Sequence, residues 1–393
     1  MDPILLILAL VVIGIIYFLK EDPTQKEIAE AVERFPGPKR YPIVGTNFSF
    51  LLKPKEEIFL LIAERVKKFG SPHKAWMGKL PMINLNTPED VELILNNSVQ
   101  IKKGYLYKFI QPWLLDGLLT SYGAYWHKNR KLITPTFHFS ILEQFVEIFD
   151  EKSRILVSKL MPQANGQVFN VYPNITHCAL DIICETAMGV AVNAMDKPNS
   201  EYVSAVYGIS KLATDRAFLP WYHSDFIFYR TAMGKQFLKY VNILHGFTEK
   251  VIKERKGKLA DTTTDQEIHE DEEFIGKKKR KAFLDMLLEA SKGGTIMNDL
   301  EIRQEVDTFM FEGHDTTTAA ICWTLFLIGN NPDIQEKAFK EQEEIFHGED
   351  RPVTMKDLGE MKYLERVIKE TLRLYPSVPF ISRLLTEELV VSK

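Results

Sequence analysis

The sequence predicts a mainly α-helical fold with small β-sheets, an α+β architecture, and a further apolar helix at its amino end. Apolar residues recur at helical spacing over long stretches of the body, among them 56–69, 176–188 and 234–256. The clearest strand signal is one short hairpin, residues 74–77 and 82–85, separated by Gly78 and Pro81. No repeat of fixed period is visible, which favours one large domain over a repeat array.

Composition places the chain among folded proteins of a reducing compartment. Its 393 residues are 45% hydrophobic, which is ordinary for a protein that buries a core. The 49 basic and 53 acidic residues give a net charge of -4, so the global charge gives no reason to expect nucleic acid as a partner. Three cysteines cannot form a disulfide framework, and their odd number favours a reducing compartment over a secreted one.

The first twenty residues predict a membrane anchor. Residues 4–19 carry no charge and would span ~24 Å as a helix, slightly less than the ~27 Å of a thin endoplasmic-reticulum bilayer. A cleaved signal peptide is the alternative, but it needs a basic segment before the apolar run. The basic side chains follow the run instead, so we expect residues 1–20 to be a single-pass anchor with the body in the cytosol. These side chains are Lys20, Lys26, Arg34, Lys39 and Arg40.

Residues 21–45 are predicted to be a proline-rich hinge between the anchor and the body. Pro36, Pro38 and Pro42 fall within seven residues and cannot continue a helix. The segment is either a plain linker or a semi-rigid spacer that orients the body over the membrane.

Residues 256–281 are predicted to be a charged mobile loop within the body, which covers 46–393. The segment is nearly devoid of apolar residues, with an acidic stretch over 265–273 and a basic run over 277–281. A basic run can also be a nuclear address or a nucleic-acid patch. Two charge blocks that partly neutralise each other favour a solvated loop.

A polar cluster interrupts the longest predicted helix, residues 300–329, which begins at an Asn298–Glu301 capping box. Glu312, Asp315 and Thr316 share one face because they lie three or four residues apart. The ordinary alternative is that the hydroxyl bonds back to the preceding turn and the carboxylates reach solvent. Polar groups in the middle of an apolar helix instead favour a cavity in which protons move.

Two further pairs are candidate functional residues. Glu370 and Arg373 lie at i,i+3 on a later helix, where a surface ion pair is the commonest interpretation. Trp126 and Arg130 lie at i,i+4 on an earlier one. An arginine and an indole on one face suit an anionic carboxylate of a cofactor, whereas a core tryptophan beside a surface arginine is the usual arrangement.

Taken together and in this order, these features resemble the cytochrome P-450s, which are haem-thiolate monooxygenases. The resemblance covers the anchor, the hinge, the two pairs, the polar cluster and residues 378–383, and so nearly the whole chain. Residues 305–317, Glu-Val-Asp-Thr-Phe-Met-Phe-Glu-Gly-His-Asp-Thr-Thr, are similar to the fourth P-450 family, the fatty-acid ω-hydroxylases and their insect relatives. The resemblance implies the P-450 fold.

The resemblance also implies roles for the polar cluster. Thr316 and Asp315 match the pair that passes protons to iron-bound oxygen, and Gly313 matches the position that leaves room for dioxygen. Glu312 matches a glutamate that can form an ester with a methyl group of the haem.

The implied cofactor is haem, iron protoporphyrin IX. Trp126, Arg130 and Arg383 match groups that bind the haem propionates. Glu370 and Arg373 match the Glu-x-x-Arg pair that braces the fold behind the haem, a structural role.

The implied function is that of a membrane-bound monooxygenase of the endoplasmic reticulum that hydroxylates fatty acids, terpenoids or xenobiotics with O₂ and NADPH. The electrons would come from a separate NADPH–cytochrome P-450 reductase, with cytochrome b5 as a further donor. The absence of a Gly-x-Gly-x-x-Gly dinucleotide signature from the sequence agrees with this. Membrane lipid and an apolar small molecule are the other expected partners, and no nucleic acid is expected.

The sequence departs from the family at the metal ligand. The family holds its haem iron by a cysteine in a Phe-x-x-Gly-x-Arg-x-Cys-x-Gly loop, and no such loop occurs here. Cys178, Cys184 and Cys322 lack the surrounding glycine and arginine and are expected to be structural. We therefore expect a catalytic domain that lacks its carboxyl-terminal haem-ligand portion, and a chain that is inactive as written. The alternative function is a catalytically inactive, membrane-anchored remnant. A metal hydrolase built on His314 and Asp315 is a poor alternative, because adjacent helical residues point ~100° apart and cannot share one metal as i,i+4 ligands do.

Overall fold

The computed structural model describes residues 23–54, 57–197, 200–268, 282–291 and 293–390. The described residues are mainly helical and contain one two-stranded antiparallel sheet, which confirms the predicted helical fold with a small sheet. The chain divides into two compact units. The first contains the residues up to Phe109, Ser210–Phe237 and the residues from Arg383 on, and the second contains Ile110–Ile209 and Leu238–Ser382.

Helices longer than one turn are numbered here in chain order. They are α1 Pro23–Glu33, α2 Ile58–Phe69, α3 Pro88–Leu95, α4 Gly123–Ile133, α5 Val146–Leu160, α6 Tyr172–Thr186, α7 Glu201–Phe218, α8 Ala232–Ile268, α9 Phe283–Ala290, α10 Asp299–Gly329, α11 Pro332–Phe346, α12 Met355–Glu360 and α13 Lys362–Leu374. The strands are β1 His73–Met77 and β2 Leu80–Asn84. Single turns of helix lie at Phe48–Leu51, Gln111–Leu114, Phe139–Leu142 and Asp225–Phe228.

The sheet and α1 form a small core in the first unit. Ala75 lies opposite Met82 in the β1–β2 register. The strand ends differ by at most two residues from the predicted hairpin, 74–77 and 82–85. Trp76 of β1 is buried with Ala29 and Val32 of α1. Within the predicted hinge 21–45, residues 23–33 are therefore helical, because their two apolar side chains bury against this tryptophan.

The amino end of α3 is capped by a threonine side chain. The Thr87 hydroxyl accepts a hydrogen bond from the Asp90 backbone N–H at 3.4 Å, and Pro88 occupies the first turn. Proline is tolerated there because its missing N–H would have had no helical partner.

A buried arginine organises the other part of the first unit. The Arg216 guanidinium lies 4.1 Å from the centre of the Phe228 ring, and its Nε donates to the Tyr222 carbonyl at 2.9 Å. Asp225 pairs with Arg216 and also accepts Lys108 at 3.0 Å. The cation is thus buried with a carboxylate and an aromatic face, which is how a buried charge is tolerated.

The core of the second unit forms where α6 packs against α10. Ile175, Leu180 and Cys184 of α6 are buried, as are Val306 and Met310 of α10. The predicted capping box of α10 is confirmed: the Asn298 side chain accepts the Glu301 N–H at 3.0 Å, and Glu301 accepts the Asn298 N–H at 2.7 Å. Each side chain thus satisfies one of the free N–H groups at the helix start.

Helix α8 extends into the segment predicted to be a mobile loop. It runs to Ile268, so residues 256–268 are helical, and residues 269–281 lie outside the described chain. Glu254 and Lys258 pair at i,i+4 with 3.1 Å between them, and Lys256 reaches Asp299 at 2.7 Å. Such pairs stabilise a solvent-exposed helix that lacks an apolar face.

No helix of the described residues is long and apolar enough to cross a membrane. The predicted anchor, residues 1–20, lies outside the described residues.

Removal of the Asp285 charge should destabilise the second unit. Asp285 Oδ1 and Oδ2 accept Arg255 Nε and Nη2 at 2.5 and 2.6 Å, and Arg255 Nη1 donates to the Gly189 carbonyl at 3.0 Å. We expect Asp285→Asn to lower the free energy of unfolding by about 1–3 kcal/mol, because a partly buried guanidinium loses the negative charge of its partner and one of the two carboxylate acceptors. Chemical denaturation measures this change.

Glu365→Gln is the matched control. Glu365 pairs with Lys369 at 2.7 Å on the exposed surface of α13, where screening by solvent leaves an ion pair little effect on stability. Equal losses in the two variants would contradict a stabilising role for the Arg255–Asp285 pair.

Candidate functional site

The polar cluster lies at the centre of α10. The Thr316 hydroxyl donates to the Glu312 carbonyl at 2.7 Å, and Ser377, which follows α13, donates to the Thr316 carbonyl at 2.9 Å. Thr316 is partly buried. In the structure its hydroxyl therefore bonds to the preceding turn, and its backbone connects α10 to the chain after α13.

Asp315 is partly buried, and burial raises the pKa of its carboxyl, partly offset by His314 and the Tyr172 hydroxyl. Burial also lowers the pKa of His314, whose Nδ1 lies 2.5 Å from the Met310 carbonyl oxygen. Burial thus disfavours the charged forms of both side chains and favours a neutral imidazole beside a protonated carboxyl. Asp315 is thus able to hold a proton closer to neutral pH than an ordinary aspartate.

Gly313 permits a close approach of two helices. A Cβ atom placed on it would lie 2.5 Å from Cδ1 and 2.7 Å from Cγ1 of Ile183 on α6. The glycine therefore has a packing reason in this structure. Its role in leaving room for dioxygen stays a prediction.

Trp126 and Arg130 lie on α4, as predicted. Trp126 is partly buried beside His127, with ring centres 5.1 Å apart, and Arg130 is exposed. Among the residues that the structure describes, the Arg130 guanidinium has no side-chain partner. An indole N–H and an uncommitted guanidinium at i,i+4 are donors that suit an anionic carboxylate.

The remaining predicted residues do not lie on α10. Arg383 belongs to the first unit, where its backbone pairs with that of Lys103. Glu370 and Arg373 form a bidentate ion pair within α13, with both contacts at 2.7 Å, and their side chains are 57% and 66% exposed. The pair thus has the predicted partner, and its role as a brace behind the haem stays a prediction.

Sequence reasoning assigned no role to two buried carboxyls on α10. Glu305 accepts hydrogen bonds from the Leu118 N–H and the Asn129 side chain, both at 3.1 Å, and burial raises its pKa to about 7. Asp307 is fully buried, and burial raises its pKa to about 8; His245 Nε2 lies 3.8 Å from it. The sequence signal was present, since both acids flank Val306 within the apolar stripe of the helix.

None of the three cysteines has the environment of a metal ligand. Cys178 and Cys184 are buried and Cys322 is partly buried. Burial raises the pKa of the Cys178 and Cys322 thiols to about 11, and that of Cys184 further. A thiol of raised pKa stays protonated at neutral pH, whereas the thiolate is the form that binds metals.

Comparison with known proteins decides the family. The family model for cytochrome P450 matches residues 35–393. The chain belongs to the cytochrome P450 family. P450s are oxidoreductases that carry haem iron and, in the general P450 system, receive electrons from NADPH through a reductase. The expected haem cofactor and monooxygenase class are thereby confirmed at the level of the family.

The similar curated relatives are family 4 P450s, as residues 305–317 predicted. Cytochrome P450 4c3 of Drosophila melanogaster is 43% identical over 387 residues, which cover 95% of this chain and 71% of the relative. Cytochrome P450 4c21 of Blattella germanica is 44% identical, with 95% and 74% covered. Cytochrome P450 4V2 of Homo sapiens is 45% identical, with 90% and 68% covered.

The residues of this P450 fit the propionates of a haem but not its iron. The donors of Trp126 and Arg130 suit the propionates, since Arg130 has no ion pair in the described part of the chain. None of the three protonated thiols suits the iron. We therefore assign no axial ligand and derive no step through the iron.

A double-mutant cycle tests whether Gly313 is a packing residue. We expect Gly313→Ala to destabilise the P450 by about 1–3 kcal/mol, because the added methyl group meets Ile183. In an Ile183→Ala background the same change should be stabilising by up to about 1 kcal/mol, because alanine favours a helix over glycine. Thermal or chemical denaturation of the four proteins gives the coupling energy. Additive effects would show that the glycine is not there for the helix contact.

Proposed function

We propose that this family 4 P450 is a membrane-bound haem monooxygenase of the endoplasmic reticulum. It hydroxylates an apolar molecule of the fatty-acid, terpenoid or xenobiotic type with O₂ and with electrons from NADPH. A separate membrane-bound reductase delivers the electrons, with cytochrome b5 as a further donor. The observation that carries the proposal is the half-buried Asp315–Thr316 pair at the centre of α10, within the family 4 stretch 305–317.

The proposed chemistry needs protons at a site that excludes water. Haem, when bound, supplies the centre at which dioxygen is activated. Asp315 holds a proton because burial raises the pKa of its carboxyl. Among the described residues, the Thr316 hydroxyl donates to the carbonyl of Glu312 at 2.7 Å, and it can exchange that bond for another acceptor. Gly313 adds no side chain of its own next to this pair, and Ile183 of α6 packs against it.

Other residues would hold the cofactor. Trp126, Arg130 and Arg383 would bind the propionates, and Glu312 would supply the carboxylate for an ester link to a haem methyl, a link that requires a two-electron oxidation of that methyl by the O₂-dependent reaction. Glu370 and Arg373 brace the fold behind the haem through their bidentate contact.

Apolar surface in the first unit supports an apolar substrate and contact with membrane lipid. The rings of Tyr105 and Phe109 pack at 5.6 Å, edge to face. Trp221, Phe226 and Ile227 are exposed, although aliphatic and aromatic side chains are generally buried. The proposed anchor, residues 1–20, would place this surface near the bilayer.

Thr316→Ala should uncouple electron consumption from product formation. In haem-loaded protein with the reductase in lipid, we expect the yield of hydroxylated product per NADPH to fall about tenfold or more, with hydrogen peroxide released instead. Quantification of NADPH, peroxide and product measures the yield.

Thr317→Ala is the matched control. Thr317 is the next residue, and its hydroxyl makes the same kind of bond to the preceding turn, to the Gly313 carbonyl at 3.1 Å, but its side chain is exposed. Equal uncoupling in both variants would contradict the assignment to Thr316.

A second candidate function, a membrane-anchored chain without catalysis, is favoured by the three cysteines. Because all three thiols have raised pKa values, we expect the 393 residues by themselves to show no thiolate-haem Soret band after reduction and addition of carbon monoxide. The same membranes without the expressed chain give the baseline. Appearance of the band would reject this candidate and show that a cysteine of this chain binds iron.

A further inference from the structure

We infer that Glu305 is a positioning residue that fastens helix α4 to helix α10 and whose hold on α4 changes with its own protonation. The inference rests on the proposed function in one respect only, the assignment of Trp126 and Arg130 on α4 to the haem propionates. Glu305 touches neither substrate nor cofactor in this arrangement. It acts through Asn129.

The geometry is that of a carboxylate bridge. Oε2 of Glu305 accepts the Leu118 backbone N–H at 3.1 Å, and Oε1 accepts Asn129 Nδ2 at 3.1 Å. Both Glu305 and Asn129 are fully buried. One carboxyl therefore joins α10 to α4 and to the loop before it, inside the second unit and away from water.

The neighbouring contacts are consistent with a docked segment. Gly117 lies directly against the Thr308 hydroxyl and the Gln304 carbonyl, where a Cβ atom has no room. On the same face of α4 as Asn129, Tyr125 donates to Gln304 at 3.1 Å, and Lys128 donates to the Ile296 carbonyl at 2.8 Å. Tyr125 is only partly buried and Lys128 is exposed, whereas Glu305 and Asn129 are both fully buried, so among the described residues their bond is the most buried of these polar links.

The position of Asn129 connects this bond to the proposed haem contacts. Asn129 lies one residue before Arg130 and three after Trp126 on an eleven-residue helix. A helix of this length moves as a unit, so a change at Asn129 changes the placement of both side chains. Glu305 and Glu312 lie seven residues apart, about 10.5 Å along one face of α10. Helix α4 is thus fastened to the face that carries Glu312.

The charged surroundings make the bridge sensitive to protonation. The pKa of Glu305 is raised to about 7, because burial and the negative charges of Glu312 and Glu301 together outweigh the two hydrogen bonds that lower it. Lys128 lies 3.7 Å from Glu301, and Tyr125 borders the same group of acids. Both forms of Glu305 are therefore present near neutral pH.

The two forms need different atoms of Asn129. The carboxylate accepts from Nδ2, as in the structure. The protonated acid has an O–H to donate, and Asn129 Oδ1 has no partner among the described residues. A rotation of the amide would serve the neutral acid.

Fluorine NMR of fluorotryptophan-labelled protein tests the inference without haem. The full chain in lipid is labelled, and Trp126→Phe assigns the Trp126 resonance. A His127→Asn background removes the adjacent titrating ring, whose centre is 5.1 Å away. We expect the resonance to shift with a midpoint near pH 7, the pKa of Glu305.

Glu305→Gln should abolish that titration and leave the fold intact. The glutamine carbonyl can accept the Leu118 N–H while its amide donates to Asn129 Oδ1, so the size and both contacts are kept and only the ionisation is lost. Asp299→Asn, a loss of an exposed carboxylate on the same helix, should leave the titration unchanged. A flat resonance in the parent protein, or a titration that persists in Glu305→Gln, would overturn the inference.

Hydrogen exchange provides a second readout that separates fastening from ionisation. Glu305→Ala removes both contacts, and we expect amide exchange in α4 to accelerate about tenfold while α6 is unchanged. Asn129→Ala should accelerate α4 to a similar extent, and the double variant no further, because both remove the same link. Additive acceleration would contradict the link.

The positioning role and the proposed function can fail independently. If the Trp126 resonance titrates with Glu305 while Thr316→Ala fails to uncouple the haem-loaded protein, the positioning role holds and the proposed function fails. If Thr316→Ala uncouples the protein while the Trp126 resonance does not titrate with Glu305, the proposed function holds and the positioning role fails.

Discussion

The second unit depends on one constraint, the cost of burying acidic side chains along α10. A carboxylate taken out of water is unfavourable unless it gains hydrogen bonds or a proton. Glu305 has two hydrogen-bond donors, and its pKa is raised to about 7. The carboxyl oxygens of Asp307 have no well-aligned hydrogen-bond partner in the described chain, and burial raises its pKa to about 8, an effect that the nearby Thr248 hydroxyl partly offsets. Asp315 is only partly buried. The three acids thus differ in how they are accommodated: Glu305 and Asp307 are able to carry a proton near neutral pH, and burial raises the pKa of Asp315 above that of an ordinary aspartate.

The neighbouring helices are arranged around this constraint. Helix α4 supplies Asn129 to Glu305, α8 brings His245 within 3.8 Å of Asp307, and α6 brings Tyr172 beside Asp315. The helix dipole does not help, since its stabilising effect on acids is confined to the first turn, which Asp299 and Glu301 occupy. Stabilisation of the central acids therefore has to come from other helices, and this requirement sets which surfaces of α4, α6 and α8 face α10.

Local features of this structure could be predicted from the sequence, and long-range ones could not. The caps at Thr87 and Asn298 and the Glu370–Arg373 pair join residues within three positions of each other, so residue spacing alone predicts them. The sequence pattern did not indicate helix α1, because its two buried side chains, Ala29 and Val32, pack against Trp76, which is distant in the sequence. The carboxyl-terminal part of α8 was missed because an exposed charged helix and a charged loop share one composition. The contacts of Glu305 join residues 176 and 187 positions apart, and no local pattern contains them.

The face of α10 on which Glu305 lies connects the buried bridge to the family's chemistry. Glu312 follows two turns later on the same face, whereas Asp315 and Thr316 lie three and four residues beyond Glu312, close to that face. Helix α4, which carries Trp126 and Arg130, is therefore held at Glu305 on the face of α10 that also carries the proposed haem-linking glutamate, Glu312. If the bridge loosens, those donors move relative to a helix that is itself fixed by α6 through the Gly313–Ile183 contact. The placement of the cofactor and the supply of protons then both depend on the packed centre of α10. A change in the protonation of Glu305 acts on the placement of Trp126 and Arg130 and leaves Asp315 and Thr316 where they are.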